Sequence, residues 1–121
     1  MIKVAYELYK NDYNRRMAEK TFASLNAFED WFFGLCKGKY NDDISVPNPD
    51  NGIWSEGPSC MEVRCYSTDG VCYWIRMIQI GNGIMYTDGK LTNGMKHWNE
   101  DAKEMCRRML KRKKAPAFNF I

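Results

Sequence analysis

Histidine and cysteine are the residue types in this sequence that would carry catalysis or bind a transition metal. His97 is the only histidine, so one chain cannot build a histidine-rich zinc site, and a serine triad would have a single candidate base. The five cysteines include no C-x-x-C pair; they are Cys36, Cys60, Cys65, Cys72 and Cys106. This odd number and this spacing predict reduced thiols that pack as small apolar side chains, with no bound metal and no cofactor.

The acidic residues do not form a recognisable catalytic pair. Asp42-Asp43 and Glu100-Asp101 are neighbours in sequence, whereas paired-carboxylate chemistry needs two groups that face one substrate from separate elements. We therefore expect a protein that is not an enzyme and has no catalytic residues. An enzyme that uses Cys60 or Cys65 as its nucleophile stays open as an alternative.

A run of bases lies near the end of the sequence. The segment spans residues 103–114 and contains one acid, Glu104. Its seven bases are Lys103, Arg107, Arg108, Lys111, Arg112, Lys113 and Lys114. The segment has a net charge of +6, so with +3 for the whole chain the remainder carries −3. Such a segment could bind nucleic-acid phosphates. It is also typical of the solvated C-terminal half of a helix, where the helix dipole favours bases.

Aromatic residues and one arginine indicate a second kind of surface. The residues predicted to bind a partner are Trp54, Arg64, Tyr66, Tyr73 and Tyr86. Tryptophan, tyrosine and arginine dominate the energetics of protein interfaces, so the first hypothesis is a non-catalytic protein that binds a partner protein. The alternative is a nucleic-acid-binding protein that uses the basic segment together with bases stacked on these tyrosines.

Two predicted hairpin turns position the central residues. Asp69-Gly70 and Asn82-Gly83 each favour a two-residue turn, so residues of about 60–88 are predicted to form a three-stranded antiparallel meander. The first turn would set Tyr66 opposite Tyr73. The face predicted to pack on helices contains Met61, Val63, Cys65, Trp74, Arg76, Ile78, Ile80 and Met85. The other predicted face contains Glu62, Arg64, Tyr66, Tyr73, Ile75, Met77, Gln79, Ile84 and Tyr86.

N-terminal strands and two amphipathic helices complete the prediction. Alternation over residues 2–9 indicates one strand, and residues 17–23 indicate a second. Helices are predicted over about 25–37 and about 100–114, because apolar residues recur there with helical spacing. The fold class is thus α+β, an antiparallel sheet packed against two helices in one domain over residues 1–121.

Capping residues define the ends of both helices. Ser24 and Asn99 are good N-cap residues. Gly38 is suited to end the first helix and Pro116 to end the second. Residues 40–58 read as a long loop that Trp54 is predicted to pin.

Composition gives an expectation about location. No apolar run approaches the roughly 20 residues needed to cross a bilayer, the N-terminus lacks a signal-peptide pattern, and the cysteines fit a reducing compartment. We therefore expect a cytoplasmic protein that does not bind membranes. The oligomeric state is not predicted.

Four short patches resemble other sequences: TFASL at 21–25, DWFFG at 30–34, YTDG at 86–89 and AFNF at 117–120. In these patches the chain resembles small proteins encoded on mobile genetic elements, conjugative elements or phages, of gut bacteria. The resemblance implies an accessory factor that binds a partner and in some cases inhibits or modulates host machinery or defence. It brings no catalytic residues.

Overall fold

The computed structural model describes residues 1–10, 14–35, 43–50, 60–66, 72–85 and 98–118. In these residues an antiparallel sheet of six strands packs against two helices, which confirms the predicted α+β class. The strands are β1 (Ile2–Lys10), β2 (Asn14–Phe22), β3 (Ile44–Ser45), β4 (Glu62–Tyr66), β5 (Cys72–Ile80) and β6 (Gly83–Ile84). The helices are α1 (Leu25–Gly34) and α2 (Glu100–Phe118).

The sheet joins an N-terminal hairpin to a central meander. The strand order is β2-β1-β5-β4-β3, and β6 pairs with the last residues of β5. Strands β4, β5 and β6 follow one another in antiparallel pairs, as predicted, and β1 and β2 confirm the two N-terminal strands. Because β5 lies between β1 and β4, it is the centre of the sheet.

Both helices cover one face of the sheet, called here the inner face. The ring of Phe22 on β2 lies 5.6 Å from that of Phe28 and 5.3 Å from that of Trp31, both on α1. The core contains the predicted apolar stripes of the two helices. Its buried members include Val4, Phe22, Phe28, Phe32, Ile44, Val63, Ile75, Met77, Ile80, Ala102, Cys106 and Met109.

The first hairpin of the meander pairs in a register one residue away from the predicted one. Tyr66 pairs with Cys72, whereas the prediction set Tyr66 opposite Tyr73. Five residues, 67 to 71, separate the observed pair, and a two-residue turn would leave an even number. The dipeptide Asp69-Gly70 itself lies outside the described residues.

This register reverses the two predicted faces of β5. Because side chains alternate along a strand, a slip of one residue moves each of them to the other face. Ile75 and Met77, predicted on the outer face, are buried in the core. Trp74 and Arg76, predicted on the inner face, lie on the outer one, and Tyr73 shares the inner face with Ile75.

A β-bulge near the end of β5 changes the alternation a second time. Neighbouring residues of β1, Ala5 and Tyr6, pair with Gln79 and Met77, so Ile78 is the extra residue. A bulge of this kind shifts the side chains that follow it by one position. The last residue of β5 is therefore fully buried, as predicted, although the middle of the strand is reversed. Ile78, predicted in the core, is half-buried.

The second turn lies at Gly81-Asn82, one residue before the predicted position. It pairs Gln79 with Ile84 rather than with Tyr86. Gly81 has φ of 55°, a left-handed conformation that glycine adopts without strain. Gly83 serves packing instead, since a Cβ there would lie 3.0 Å from the backbone of Ala102 on α2.

The predicted caps of both helices are confirmed. Ser24 accepts a hydrogen bond from the Ala27 N–H at 3.1 Å. Asn99 Oδ1 accepts from the N–H groups of Ala102 at 2.9 Å and Ile84 at 3.1 Å, so one side chain both caps α2 and holds β6 against it.

The helix ends differ from the prediction. Helix α1 ends at Gly34, before the expected 37, and Gly38 lies outside the described residues. Helix α2 continues through Pro116 to Phe118 and does not end at the proline; the φ that the proline ring fixes is compatible with a helix, although the residue lacks a backbone donor. In the described part of the chain, neither helix is both long and apolar enough to span a bilayer.

Candidate functional site

The outer face of the sheet carries two rows of side chains that cross neighbouring strands. In the first row Glu62 of β4 lies opposite Arg76 of β5, which lies opposite Glu7 of β1. In the second row Trp74 of β5 lies between residues of β4 and β1, and the row continues onto β2. These residues form the outer-face cluster: Glu7, Tyr9, Arg15, Glu62, Arg64, Trp74 and Arg76.

The first row alternates in charge. Arg76 Nε donates to Glu62 Oε2 at 2.7 Å. Burial acts to lower the pKa of Arg76, but the hydrogen bond and negative charge of Glu62 outweigh it, so the pKa is raised and the guanidinium stays charged. Glu7 is only 1 % exposed; it accepts from the Tyr9 hydroxyl at 2.8 Å and pairs with Arg15 at 3.3 Å. This row is electrostatically satisfied.

The second row stacks guanidinium groups on aromatic rings. The Arg64 guanidinium lies 4.8 Å from the centre of the Trp74 ring system. The Arg76 guanidinium lies 5.2 Å from the Tyr9 ring and 6.0 Å from the Trp74 ring. Cation–π contacts of this kind hold large side chains in fixed orientations. The cluster therefore presents an ordered, amphipathic surface.

Two groups of the second row lack a polar partner among the described residues. The Trp74 indole Nε1 is the one buried side-chain nitrogen or oxygen, among the described residues, with no hydrogen-bond partner. Arg64 is exposed and forms no salt bridge with a described residue. Because a cation without a salt bridge gains energy from an added acceptor, the exposed Arg64 guanidinium is suited to meet carbonyl or carboxylate oxygens, whereas the Trp74 donor is shielded from solvent.

Cys60 lies beside the first row, and its environment opposes catalysis. Burial raises the pKa of the Cys60 thiol to about 12, and the nearby Glu62 adds to the increase. Burial alone similarly raises the pKa of Cys106 to about 12. A nucleophilic cysteine needs a lowered pKa, so both thiols are suited to packing. Cys65, the other candidate, donates to the Tyr73 carbonyl at 3.5 Å.

The five residues predicted to bind a partner do not share one surface. Arg64 belongs to the outer-face cluster, whereas Tyr73 lies on the inner face, because the hairpin register differs from the predicted one. Tyr66 is the last residue of β4, and its side chain is not among the parts of the chain that the structure describes. Trp54 and Tyr86 lie outside the described residues, as does His97.

The bases of α2 lie against acids and carbonyls of the same molecule. Arg108 donates to Glu29 at 2.5 Å and to Asn26 of α1. Arg112 contacts Asp30 of α1 and lies 5.2 Å from the Phe33 ring.

Three further bases of α2 also have internal partners. Arg107 bonds Asp50 at 3.0 Å. Lys113 donates to the Ile44 carbonyl at 2.6 Å, and Lys103 pairs with Glu100 at 3.3 Å. Lys111 is exposed, and the side chain of Lys114 lies outside the description. Most of the described cationic groups of α2 thus attach the helix to α1 and to the segment that contains β3, which supports the structural interpretation of this charge run.

The cluster contains residues that the sequence did not single out. Alternation along β1 places Glu7 and Tyr9 on one face, but the pattern alone gives them no function. Arg15 and Trp74 join them only through strand pairing. A correct register for the first hairpin would have been the one signal that brings Trp74 to this surface.

The described residues hold no group of three or more histidine, cysteine, aspartate or glutamate side chains arranged to bind a metal ion. Comparison of this chain with protein-family models, with curated proteins and with solved structures gives no match.

Proposed function

We propose that this protein is a non-catalytic binding module that docks onto a partner protein through the outer-face cluster. The observation that carries the proposal is the Arg64–Trp74 pair, in which an exposed guanidinium that forms no salt bridge with a described residue lies over an aromatic ring. Side chains of these types supply most of the binding energy where protein interfaces are well packed. The complementary partner surface would present backbone carbonyls or acidic side chains.

The cluster favours a protein partner over stacked nucleic-acid bases. A base would need an open ring face, but guanidinium groups already lie over the rings of both Trp74 and Tyr9. The bases of α2 support nucleic-acid binding less than their number suggests, because five of the seven are engaged within the molecule. Raised thiol pKa values at Cys60 and Cys106 support a role without cysteine catalysis.

The resemblance to small proteins of mobile genetic elements supplies a setting for this proposal. In that setting the protein is a cytoplasmic accessory factor, and its partner belongs to host machinery or host defence that the bound factor inhibits or modulates. Binding alone is sufficient for such a role, since blocking a surface of the partner needs no chemistry.

The proposal is tested by affinity capture from cells that encode the protein, with three baits. These are the wild-type chain, Arg64→Glu and a matched control, Lys111→Glu. Both substitutions exchange an exposed base for an acid, one on each side of the molecule. We expect a stoichiometric protein partner whose affinity falls by at least about tenfold with Arg64→Glu. The control should bind as the wild type does, with or without nuclease.

Capture that survives Arg64→Glu would contradict the proposal. Captured material that disappears with nuclease or with Lys111→Glu would instead favour nucleic-acid binding through α2.

A further inference from the structure

The N-terminal hairpin leaves a long strand at the edge of the sheet. β2 has nine residues, lies last in the strand order and, in the part of the chain that the structure describes, pairs with β1 alone. Six of its seven residues between 15 and 21 are exposed. An open edge of this length is a template for pairing with another strand.

The direction of the free backbone groups follows from the neighbouring strands. The Gly81 N–H donates to the Lys3 carbonyl at 2.8 Å, so Lys3 directs its backbone groups away from β2. Because these groups alternate along a strand, the even-numbered residues of β1 bond to β2. They pair with the even-numbered residues of β2. The residues whose N–H and C=O groups point to the open edge are Arg15, Met17, Glu19 and Thr21.

The charges on β2 select one way for two copies to pair. In an antiparallel pair related by a twofold axis, outward-directed residues must face outward-directed residues. An axis at Arg15, Arg16, Glu19 or Lys20 sets that charged residue opposite its own copy, and an axis at Ala18 sets Arg16 opposite Lys20. An axis at Met17 sets Arg15 opposite Glu19 of the second copy, twice, with no like-charged pair.

The side chains near that axis are more than half exposed. Met17 is 55 % exposed, one of the few large apolar side chains on the described surface. Arg15 and Glu19 keep 54 % and 62 % of their side chains exposed although they contact Glu7 and Lys3. Pairing would place the two Met17 side chains side by side, flanked by two ion pairs and by about six backbone hydrogen bonds.

We propose that two copies of this chain associate edge to edge through antiparallel β2 strands, with the twofold axis at Met17. The sheets of the two copies then form one continuous sheet. This pairing shares Arg15 with the outer-face cluster, but it uses the edge of the sheet and does not involve the Arg64–Trp74 pair that carries the proposed function.

Sedimentation velocity over about a hundredfold range of protein concentration tests the association. The wild-type chain should show a reversible monomer–dimer equilibrium. Arg15→Glu and Glu19→Arg should each weaken the dimer by at least about tenfold, because each sets like charges opposite one another twice. An equal mixture of the two variants should restore a mixed dimer, since the acid at position 15 then faces the base at position 19.

Met17→Lys provides a second test that leaves the Arg15–Glu7 contact intact. It sets two ammonium groups opposite each other and should also abolish the dimer, whereas the control Ile84→Lys, at an exposed residue of β6, should not. Thermal unfolding verifies that each variant is folded. If Arg15→Glu does not fold, Glu19→Arg and Met17→Lys still test whether the dimer forms through β2. A wild-type chain that stays monomeric, or a dimer insensitive to both of these substitutions, would overturn the proposal.

Discussion

Two buried glutamates of the described residues lie on opposite sides of the sheet and are neutralised in different ways. Glu29 on α1 is 2 % exposed and accepts from Arg108 of α2, a residue 79 positions later. Glu7 on β1 is 1 % exposed and is held by Tyr9 and by Arg15 of the adjacent strand. The first ion pair joins distant elements of the chain, and the second lies within a hairpin that its backbone already joins.

This difference separates a structural surface from a candidate binding surface. On the helix side, side-chain contacts with acids and with one carbonyl fix the position of α2, and most of its described bases take part in such contacts. On the outer face the ladder of backbone hydrogen bonds fixes the strands, and the exposed Arg64, stacked on Trp74, can reach the acceptor groups of a partner. A dense run of charge in a sequence is therefore a weaker indication of a binding site than a few residues brought together by strand pairing.

Alkaline pH should give the largest change in the free energy of unfolding. The change should come from one thiol on the helix side of the sheet and one beside the outer-face cluster. Cys106 lies on the buried side of α2 and Cys60 lies beside the outer-face cluster, and the pKa of each thiol is raised from 9.0 to about 12. The unfolded chain loses these protons first, so the stabilisation is complete below about pH 9 and is lost as the pH rises towards 12. We expect a loss on the order of 4 kcal/mol for each thiol.

Urea unfolding at increasing pH measures this loss. Cys60→Ala and Cys106→Ala should each lower the thiol-dependent part of the slope by about half, because each removes one of the two groups. If neither substitution changes the alkaline slope, the two thiols are not buried in the way described here.

Arg108→Ala should give the next largest effect. It leaves the buried Glu29 without its cation, and we expect a loss of about 2 to 3 kcal/mol in the free energy of unfolding. The value lies below that of a fully buried pair because the Arg108 side chain is 45 % exposed. Lys111→Ala, on the exposed side of the same helix, should change stability by less than about 0.5 kcal/mol. Equal losses in the two variants would remove the distinction between paired and solvated bases on α2.

Arg64→Ala should give the smallest effect. Its side chain is exposed and stacks on Trp74, so its removal should cost less than about 1 kcal/mol of stability. The same substitution should weaken partner binding at least about tenfold if Arg64 is part of the interface. A large loss of stability, measured by thermal unfolding, would show that Arg64 belongs to the fold rather than to the binding surface.

Local patterns in the sequence were sufficient to predict most of the fold. Alternation in β1, the apolar stripes of both helices and the caps Ser24 and Asn99 are set by residues close in sequence, and all are confirmed. The register of the first hairpin was wrong, because Asp-Gly also occurs in longer connections. The bulge at Ile78 has no local signature, since it arises from pairing with β1.

The candidate site was less predictable for the same physical reason. The register of the first hairpin differs by one residue from the predicted one, so Trp74 rather than Tyr73 lies on the outer face. Of the predicted partner-binding residues whose side chains the structure describes, Arg64 lies in the cluster. The internal partners of the α2 bases, such as Glu29 and Asp30, lie about eighty positions earlier. A sequence pattern read over one helix cannot contain them.

A double-mutant cycle on Glu29 and Arg108 tests most directly whether the bases of α2 act within the molecule. It compares the unfolding free energies of the wild-type chain, Glu29→Ala, Arg108→Ala and the double variant. An internal ion pair predicts a coupling energy of about 2 kcal/mol. A coupling energy below about 0.3 kcal/mol would mean that the two side chains act independently. The bases of α2 would then form a solvated charged surface and would not stabilise the fold through internal contacts.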